Sequence, residues 1–310
     1  MRGRFGEVAW QWIRGSHPPN PPEAALPSVA SDLARPVAKG DELRITWVGH
    51  ATHLIQLPGL NFLTDPIWSP AASPVPRIGT RRLVDATPAL TALPPLHGVL
   101  LSHDHFDHLD RPTVVELRAM FGPELPWYTP LGYRDWFARL GIDRVVELDW
   151  WDEVELSTGY RLVCAPTRHW TRRTPWNTNR RLWCSWGIIP SGGTAAGFRV
   201  YFGADSAYAS VFSEVGARLG PLDASILPIG AYEPRWFMSA SHMSPEEAVQ
   251  VWADLGGSGA FLPSHWGTFR LTFEDPLEPP ERLRAEWARR GLDPSLLHVP
   301  RHGETVILLA

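Results

Sequence analysis

The sequence predicts an α/β fold in which two β-sheets pack face to face with helices outside. Three observations carry that expectation. Strand-like apolar runs alternate with segments of helical spacing in both halves of the chain. No repeat occurs at the periods of solenoids or propellers. Several strand runs end in a His or an Asp, as expected where a sheet presents a site on its edge loops.

Residues 1–40 read as an arm packed on the domain. Ala9-Trp10-Gln11-Trp12-Ile13 is short and aromatic, and the prolines between His17 and Pro22 exclude helix. The tryptophans are expected to plug an apolar groove, leaving 41–310 as one catalytic domain. That domain opens with strands near Leu43–Val48, His53–Leu57 and Asn61–Thr64, the last two joined by a Pro58-Gly59 turn. Residues 66–96, rich in Pro, Arg and Ser, read as a long irregular loop, a type often tied to function. Gly98–Leu101 reads as a buried strand. Pro112–Phe121 has a helix-start proline, and Leu131–Leu140 is a second helix. Strands follow around Arg144–Leu148, Tyr160–Ala165, Trp183–Ile189, Phe198–Phe202 and Ala224–Pro228. Ser244 and Glu247 have capping-box spacing and open a helix. Ala260–Leu262 is a strand, Pro280–Arg290 a helix, and Val306–Leu309 a closing strand.

Composition narrows the function classes. The 310 residues are 44% apolar and 20% charged, with a net charge of −4, so nucleic acid is not an expected partner. No window approaches the ~18 apolar residues of a membrane-spanning helix. Met1–Glu7 leads into no long apolar core, so no signal peptide is expected and the location is read as cytoplasmic. Cys164 and Cys184 are expected to be buried thiols rather than a disulfide framework.

The chemistry concentrates in Ser102-His103-Asp104-His105-Phe106-Asp107-His108. Five imidazoles and carboxylates occupy the six positions from His103 to His108. Such nitrogen and oxygen donors suit borderline divalent ions, Zn²⁺ above all, although Mn²⁺ or Fe accept the same residues. Further candidate ligands stand after later strands: His169, Asp205 and His265. His103 and His105 alternate along an extended segment and can face one ion, while Asp107 and His108 can serve a neighbour about 3.5–4 Å away. Asp65, after another strand, is read as a carboxylate that fixes a metal-bound imidazole. His17, His97, His298 and His302 have no such setting and are assigned surface or structural roles.

The His-x-His-x-Asp-His motif with its downstream His, Asp and His resembles the metallo-β-lactamase-fold hydrolases. Trp47-Val48-Gly49-His50-Ala51-Thr52, Leu63-Thr64-Asp65-Pro66-Ile67, Leu148-Asp149-Trp150-Trp151, Ile229–Met238 and Ser264-His265-Trp266-Gly267-Thr268-Phe269 are further similar to the N-acyl-phosphatidylethanolamine phospholipase D family. The likeness runs from about residue 5 to residue 305, and the Ile229–Met238 string is its most specific part. It implies an αββα sandwich with two zinc ions, one held by His103, His105 and His169, the other by Asp107, His108 and His265, with Asp205 bridging. It also suggests a homodimer.

The reaction implied is hydrolysis of a phospholipid head group, in which hydroxide held between the ions attacks phosphorus in line and phosphatidic acid is left. Asp107 helps orient the hydroxide, and Asp205 is catalytic through the bridge. His242 binds phosphate or donates a proton to the leaving group. Tyr232, Trp236, Phe237 and Met238 are assigned to substrate binding, the last three as an acyl channel. Arg172, Arg173, Arg180 and Arg181, interleaved with Trp170 and Trp176, suggest a peripheral surface for anionic lipid head groups at the inner membrane. Two positions depart from the family pattern: His53 replaces an apolar residue, and Ser206-Ala207 replaces a common Thr-Gly. Both are expected to alter the pocket wall. The alternative is a metal-dependent lactonase or other small-molecule hydrolase, since Gly49-His50-Ala51-Thr52 also occurs in sugar-phosphate lactonases. A non-catalytic zinc or lipid-binding protein of the same fold is a third reading.

Overall fold

The computed structural model describes residues 19–22, 25–26, 28–75, 79–193 and 197–310. Trp10 and Trp12 of the expected groove-plugging arm lie outside the described residues. Residues 28–41 run against the domain: Ser28 bridges to His302, Ala38 bridges to Pro58, and the Ala34 amide donates to Gln56 Oε1 at 3.0 Å.

The chain folds in the order β1 (Glu42–Gly49), β2 (Thr52–Leu57), β3 (Leu60–Thr64), the short pair β4 (Ala71–Ala72) and β5 (Thr80–Arg81), β6 (Gly98–Leu100), α1 (Arg111–Phe121), β7 (Trp127–Pro130), α2 (Arg134–Ala138) and β8 (Val145–Leu148). The second half continues with β9 (Glu153–Glu155), β10 (Tyr160–Ala165), β11 (Ser185–Pro190), β12 (Val200–Phe202), α3 (Val211–Leu219), β13 (Ala224–Pro228), α4 (Arg235–Met238), α5 (Pro245–Asp254), β14 (Ala260–Ser264), α6 (Glu278–Arg289) and β15 (Thr305–Leu309).

Two sheets result. The first has the order β15-β1-β2-β3-β6-β7-β8, the second β14-β13-β12-β11-β10-β9. Their facing sides form one core, with Leu43, Ile45, Ile55 and Phe62 from the first sheet against Leu162, Trp186, Ile188, Phe202 and Leu262 from the second. Each such fully buried apolar side chain contributes about 1.5–3 kcal/mol relative to exposure. The outer face of the first sheet carries Val114 and Leu117 of α1 and Phe137 of α2. That of the second carries Phe212 and Val215 of α3, Val249 and Trp252 of α5, and Leu283 and Trp287 of α6. The layers are therefore αββα.

Local chemistry sets the element ends. Asp110 caps α1 by accepting from the Thr113 amide, and Pro112 occupies its first turn. Ser244 Oγ accepts from the Glu247 amide while Glu247 Oε2 accepts from the Ser244 amide, which completes the expected capping box of α5. The helix expected over Leu131–Leu140 contracts to Arg134–Ala138, because Gly132 turns at φ +98° and the strand β7 ends only at Pro130. Cys164 and Cys184 are buried and free. No helix among the described residues is long and apolar enough to cross a membrane.

Candidate metal centre

Strand ends of both sheets deliver the site. His50 lies in the β1–β2 turn, Asp65 just after β3, and His103–His108 in the loop after β6. His169 follows β10, Asp205 follows β12, and His265 follows β14. The backbone is strained where these residues meet: His50, Asp65, Ala204, Ala231 and His265 all have positive φ, between 31° and 62°. Gly230 is required for the same crowding, since a Cβ there would come within 2.0 Å of the His265 carbonyl oxygen.

Two groups of donors converge. Ligand atoms of His103, His105 and His169 lie within 4.8 Å of one another, as do those of His50, Asp107, His108 and His265. Between them stands Asp205, 3% exposed, with Oδ2 at 3.7 Å from His169 Nε2 and 3.2 Å from His108 Nε2, and Oδ1 at 3.2 Å from His265 Nε2. One carboxylate thus touches donors of both groups. The seven residues singled out by sequence are brought together.

Neighbours fix the imidazole tautomers. His108 Nδ1 donates to Asp65 Oδ2 at 2.7 Å, and Ser102 Oγ donates to the same oxygen at 2.5 Å. His103 Nδ1 then donates to Ser102 Oγ at 2.9 Å, and His169 Nδ1 to the Ser241 carbonyl at 2.9 Å. In each case it is Nε2 that faces the centre, where its lone pair is available to an ion once any proton there is lost. Asp65 thus lies within hydrogen-bonding reach of one imidazole directly and of a second through Ser102.

Cations fit these residues. His105 Nδ1 lies 2.9 Å from His103 Nε2 and 3.2 Å from His169 Nε2. Three lone pairs so placed repel unless a positive charge lies among them, and nitrogens around a tetrahedral Zn²⁺ stand about 3.3 Å apart. His108 Nε2, His265 Nε2 and Asp205 Oδ1 are buried without a hydrogen-bond partner, which is costly unless something else satisfies them. In the metal-free protein protons partly fill that role. Burial opposes charge on His108 and His265, but Asp205 and Asp107 outweigh it, raising His108 well above 6.5 and His265 to about 9. The same histidines overcome burial to hold Asp107 and Asp205 well below the usual carboxylate range.

His242 reaches the centre from the segment between α4 and α5. Its Nδ1 is 3.9 Å from Asp205 Oδ2, and its ring meets His169 edge to face at 5.1 Å. Burial pushes it well below 6.5, so it is neutral there. Trp236, Phe237 and Met238 form α4, which has no buried residue; Trp236 is 44% exposed.

Four expectations change. Tyr232 is fully buried with its hydroxyl donating to Glu278 at 3.0 Å, so it supports α6 rather than facing substrate. Arg173 and Arg181 are not free for lipid: Arg173 Nη1 donates to the carbonyls of Asp104 and Leu109 at 2.8 Å each, and Arg181 Nη1 pairs with Asp104 Oδ2 at 2.9 Å. They clamp the ligand loop from outside, leaving Arg172, Arg180 and the 83% exposed Trp176 at the surface. His53 is buried in the sandwich beside Phe202 rather than on a pocket wall. Ser206 is buried too; its Oγ accepts from the Arg168 amide and its carbonyl from the Met243 amide, tying the His169 and His242 segments together. Sequence reasoning missed His50, whose only signal was its place in the Gly49-His50-Ala51-Thr52 string.

The fold and this donor set define a metal-dependent hydrolase, and a family model for the Beta-lactamase superfamily domain matches residues 60–266. The chain belongs to that superfamily. Among curated relatives, an uncharacterized Mycobacterium tuberculosis protein is 39% identical over 90% of this chain and 72% of its own length. An N-acyl-phosphatidylethanolamine-hydrolyzing phospholipase D of Caenorhabditis elegans is 37% identical over 77% of this chain and 68% of its own. Among solved structures, a metallo hydrolase from Ignicoccus hospitalis aligns with TM-score 0.64, covering 87% of this chain and 99% of its own at 18% identity. The Bacillus subtilis metallo-beta-lactamase fold protein YhfI aligns with TM-score 0.59, covering 86% and 100% at 18% identity. These two speak for the fold alone.

Proposed function

We propose that the protein is a binuclear zinc phosphodiesterase of the phospholipase D type, acting on N-acyl-phosphatidylethanolamine or a similar lipid. His103, His105 and His169 would hold one ion and Asp107, His108 and His265 the other, with Asp205 shared. Two such ions, when bound, would lower the pKa of water and neutralise the anionic diester, supplying a nucleophile at neutral pH. Phosphatidic acid and the head-group alcohol are the products.

The observation that carries the lipid reading is the junction of a polar centre with an apolar lip. The His242 amide donates to the Met238 carbonyl at 2.9 Å, which ties the half-exposed helix α4 to the histidine facing Asp205. An amphiphilic phosphodiester needs both surfaces within one molecule's reach. Trp236, Phe237 and Met238 take the acyl part. His242, 3.9 Å from Asp205 Oδ2, binds a phosphoryl oxygen or donates a proton to the leaving group. Asp107 orients the attacking water and Asp205 holds the two donor groups in register. Arg172 and Arg180 with Trp176 provide a peripheral contact to anionic head groups. The likeness to the Caenorhabditis elegans phospholipase D supports this substrate class.

The test is product identification by mass spectrometry. Zinc-loaded protein, with metal content measured, is incubated with dispersed N-acyl-phosphatidylethanolamine and phosphatidylethanolamine beside Asp205→Asn. Phosphatidic acid from the intact protein alone is expected. Two bound metals without lipid product would reject the lipid assignment and direct attention to lactones and small phosphodiesters.

A further inference from the structure

His50 stands among the candidate ligands without being one of the seven. Its Nε2 lies 2.8 Å from Asp107 Oδ2, closer than His108 Nε2 at 3.4 Å or His265 Nε2 at 3.5 Å. A carboxylate oxygen only accepts, so His50 presents Nε2–H and donates. A nitrogen committed in that way has no lone pair to offer an ion.

The backbone that carries the ring is fixed at several points, although the ring's own Nδ1 has no hydrogen-bond partner among the described residues. The His50 carbonyl accepts from the His265 amide at 3.0 Å, from Trp47 Nε1 at 2.9 Å and from Ser264 Oγ at 3.0 Å. Its amide donates to Thr268 Oγ1 at 2.6 Å, and Thr268 Oγ1 is itself 2.9 Å from His302 Nε2. The imidazole lies 3.9 Å from the His265 ring and meets Phe269 edge to face at 5.2 Å. These contacts join the β1–β2 turn of the first sheet to the β14 end of the second. Asp107 sits on the ligand loop with its side chain 14% exposed, and His50 is its nearest hydrogen-bond donor.

We infer that His50 is a positioning residue: it aims the Asp107 carboxylate at the second ion and locks that orientation to the joint between the two sheets. The inference rests on the two-ion reading above. Loss of a donor to a metal-binding carboxylate costs about 10–100-fold in affinity, and here the loss falls on one ion only. The ion held by His103, His105 and His169 does not depend on Asp107.

The experiment titrates metal-free protein with Zn²⁺ against a chromophoric chelator, resolving two binding steps, for wild type, His50→Asn and His50→Gln. Asn tolerates the φ of +55° at this position but is too short to reach Asp107. Gln extends an amide N–H to about the place of the imidazole Nε2–H. His50→Asn is expected to lose about 10–100-fold in one of the two steps with the other unchanged, and His50→Gln to recover most of that loss. Two unchanged steps in His50→Asn, or equal loss of both, would overturn the inference. Failure of Gln to improve on Asn, in a variant that folds with wild-type stability, would do the same. If His50→Asn does not fold by circular dichroism, Thr268→Val, which removes the acceptor of the His50 amide, is expected to weaken one step selectively. Wild type taking up a single ion would refute the two-ion reading itself, whatever the variants do.

Discussion

Asp65 Oδ2 accepts hydrogen bonds from both His108 Nδ1, at 2.7 Å, and Ser102 Oγ, at 2.5 Å, and through Ser102 it reaches His103 Nδ1 at 2.9 Å. One fully buried carboxylate therefore orients an imidazole in each donor group. Asp65→Asn replaces an acceptor that serves two donors by an amide that can offer it N–H to N–H contact. Metal affinity is expected to fall about 10–100-fold, in both steps of a chelator competition titration. A loss confined to one step would show that Asp65 orients a single imidazole.

Metal uptake should release protons. Against burial, the carboxylates that share their site raise His108 well above 6.5 and His265 to about 9, favouring the protonated imidazoles. An ion must displace those protons, so affinity rises with pH from 6 towards 9. Calorimetric titrations at pH 7 in buffers of different ionisation enthalpy should give enthalpies that diverge in proportion. Buffer-independent enthalpies would mean that the imidazoles are already neutral.

The basic loop divides into two roles with different expected phenotypes. Charge reversal at Arg172 and Arg180, both exposed, should weaken binding to anionic vesicles by on the order of 1 kcal/mol per residue. Hydrolysis of a small soluble diester should be unaffected. Arg173→Met breaks the bonds to the Asp104 and Leu109 carbonyls and should lower thermal stability and metal affinity together. Equal losses on vesicles and soluble diester in the Arg172/Arg180 variant would argue against a lipid-docking loop.

Glu147 gives a stability test away from the centre. Its Oε1 accepts from the amides of Gly132, Tyr133 and Arg134 at 2.9, 2.5 and 2.9 Å, at the start of α2. Burial acts to raise its pKa, but these amides and the Arg134 side chain outweigh it and hold the carboxyl below 4.5. A depressed folded-state pKa contributes stability above the unfolded value, about 4.3, and that contribution is lost as pH falls through the folded value. Glu147→Gln should therefore lower the melting temperature at pH 7, by about 1–2 kcal/mol of stability, and the gap to wild type should close towards pH 3. A gap that persists at pH 3 would show that charge is not its source.

Much of the fold was legible because its strands are short apolar runs that end in turn chemistry. Tyr160–Ala165 and Ala224–Pro228 were read with the bounds that the structure has. β7 was missed: Trp127–Pro130 ends in proline, which reads as a turn, and only its pairing between β6 and β8 makes it a strand. α3 was missed as well, since Gly216 weakens the helical signal of Val211–Leu219. Gly216 is there because a side chain would meet the Leu255 backbone at 2.7 Å, a contact between segments that no local pattern contains.

The sequence alone determined the donor inventory. Five ionisable or imidazole side chains within His103–His108, and His or Asp after later strands, are an unusual local density that needs no fold to notice. Tertiary structure decided which residues act on which. A lone histidine after Gly49 became the neighbour of Asp107, two of the four arginines between 172 and 181 turned inward to clamp the ligand loop, and Tyr232 was withdrawn to Glu278. The reason is physical: the chemical identity of a donor is encoded at its own position. Its orientation and protonation depend on burial and on partners tens to hundreds of residues away, and folding alone brings those within 3 Å.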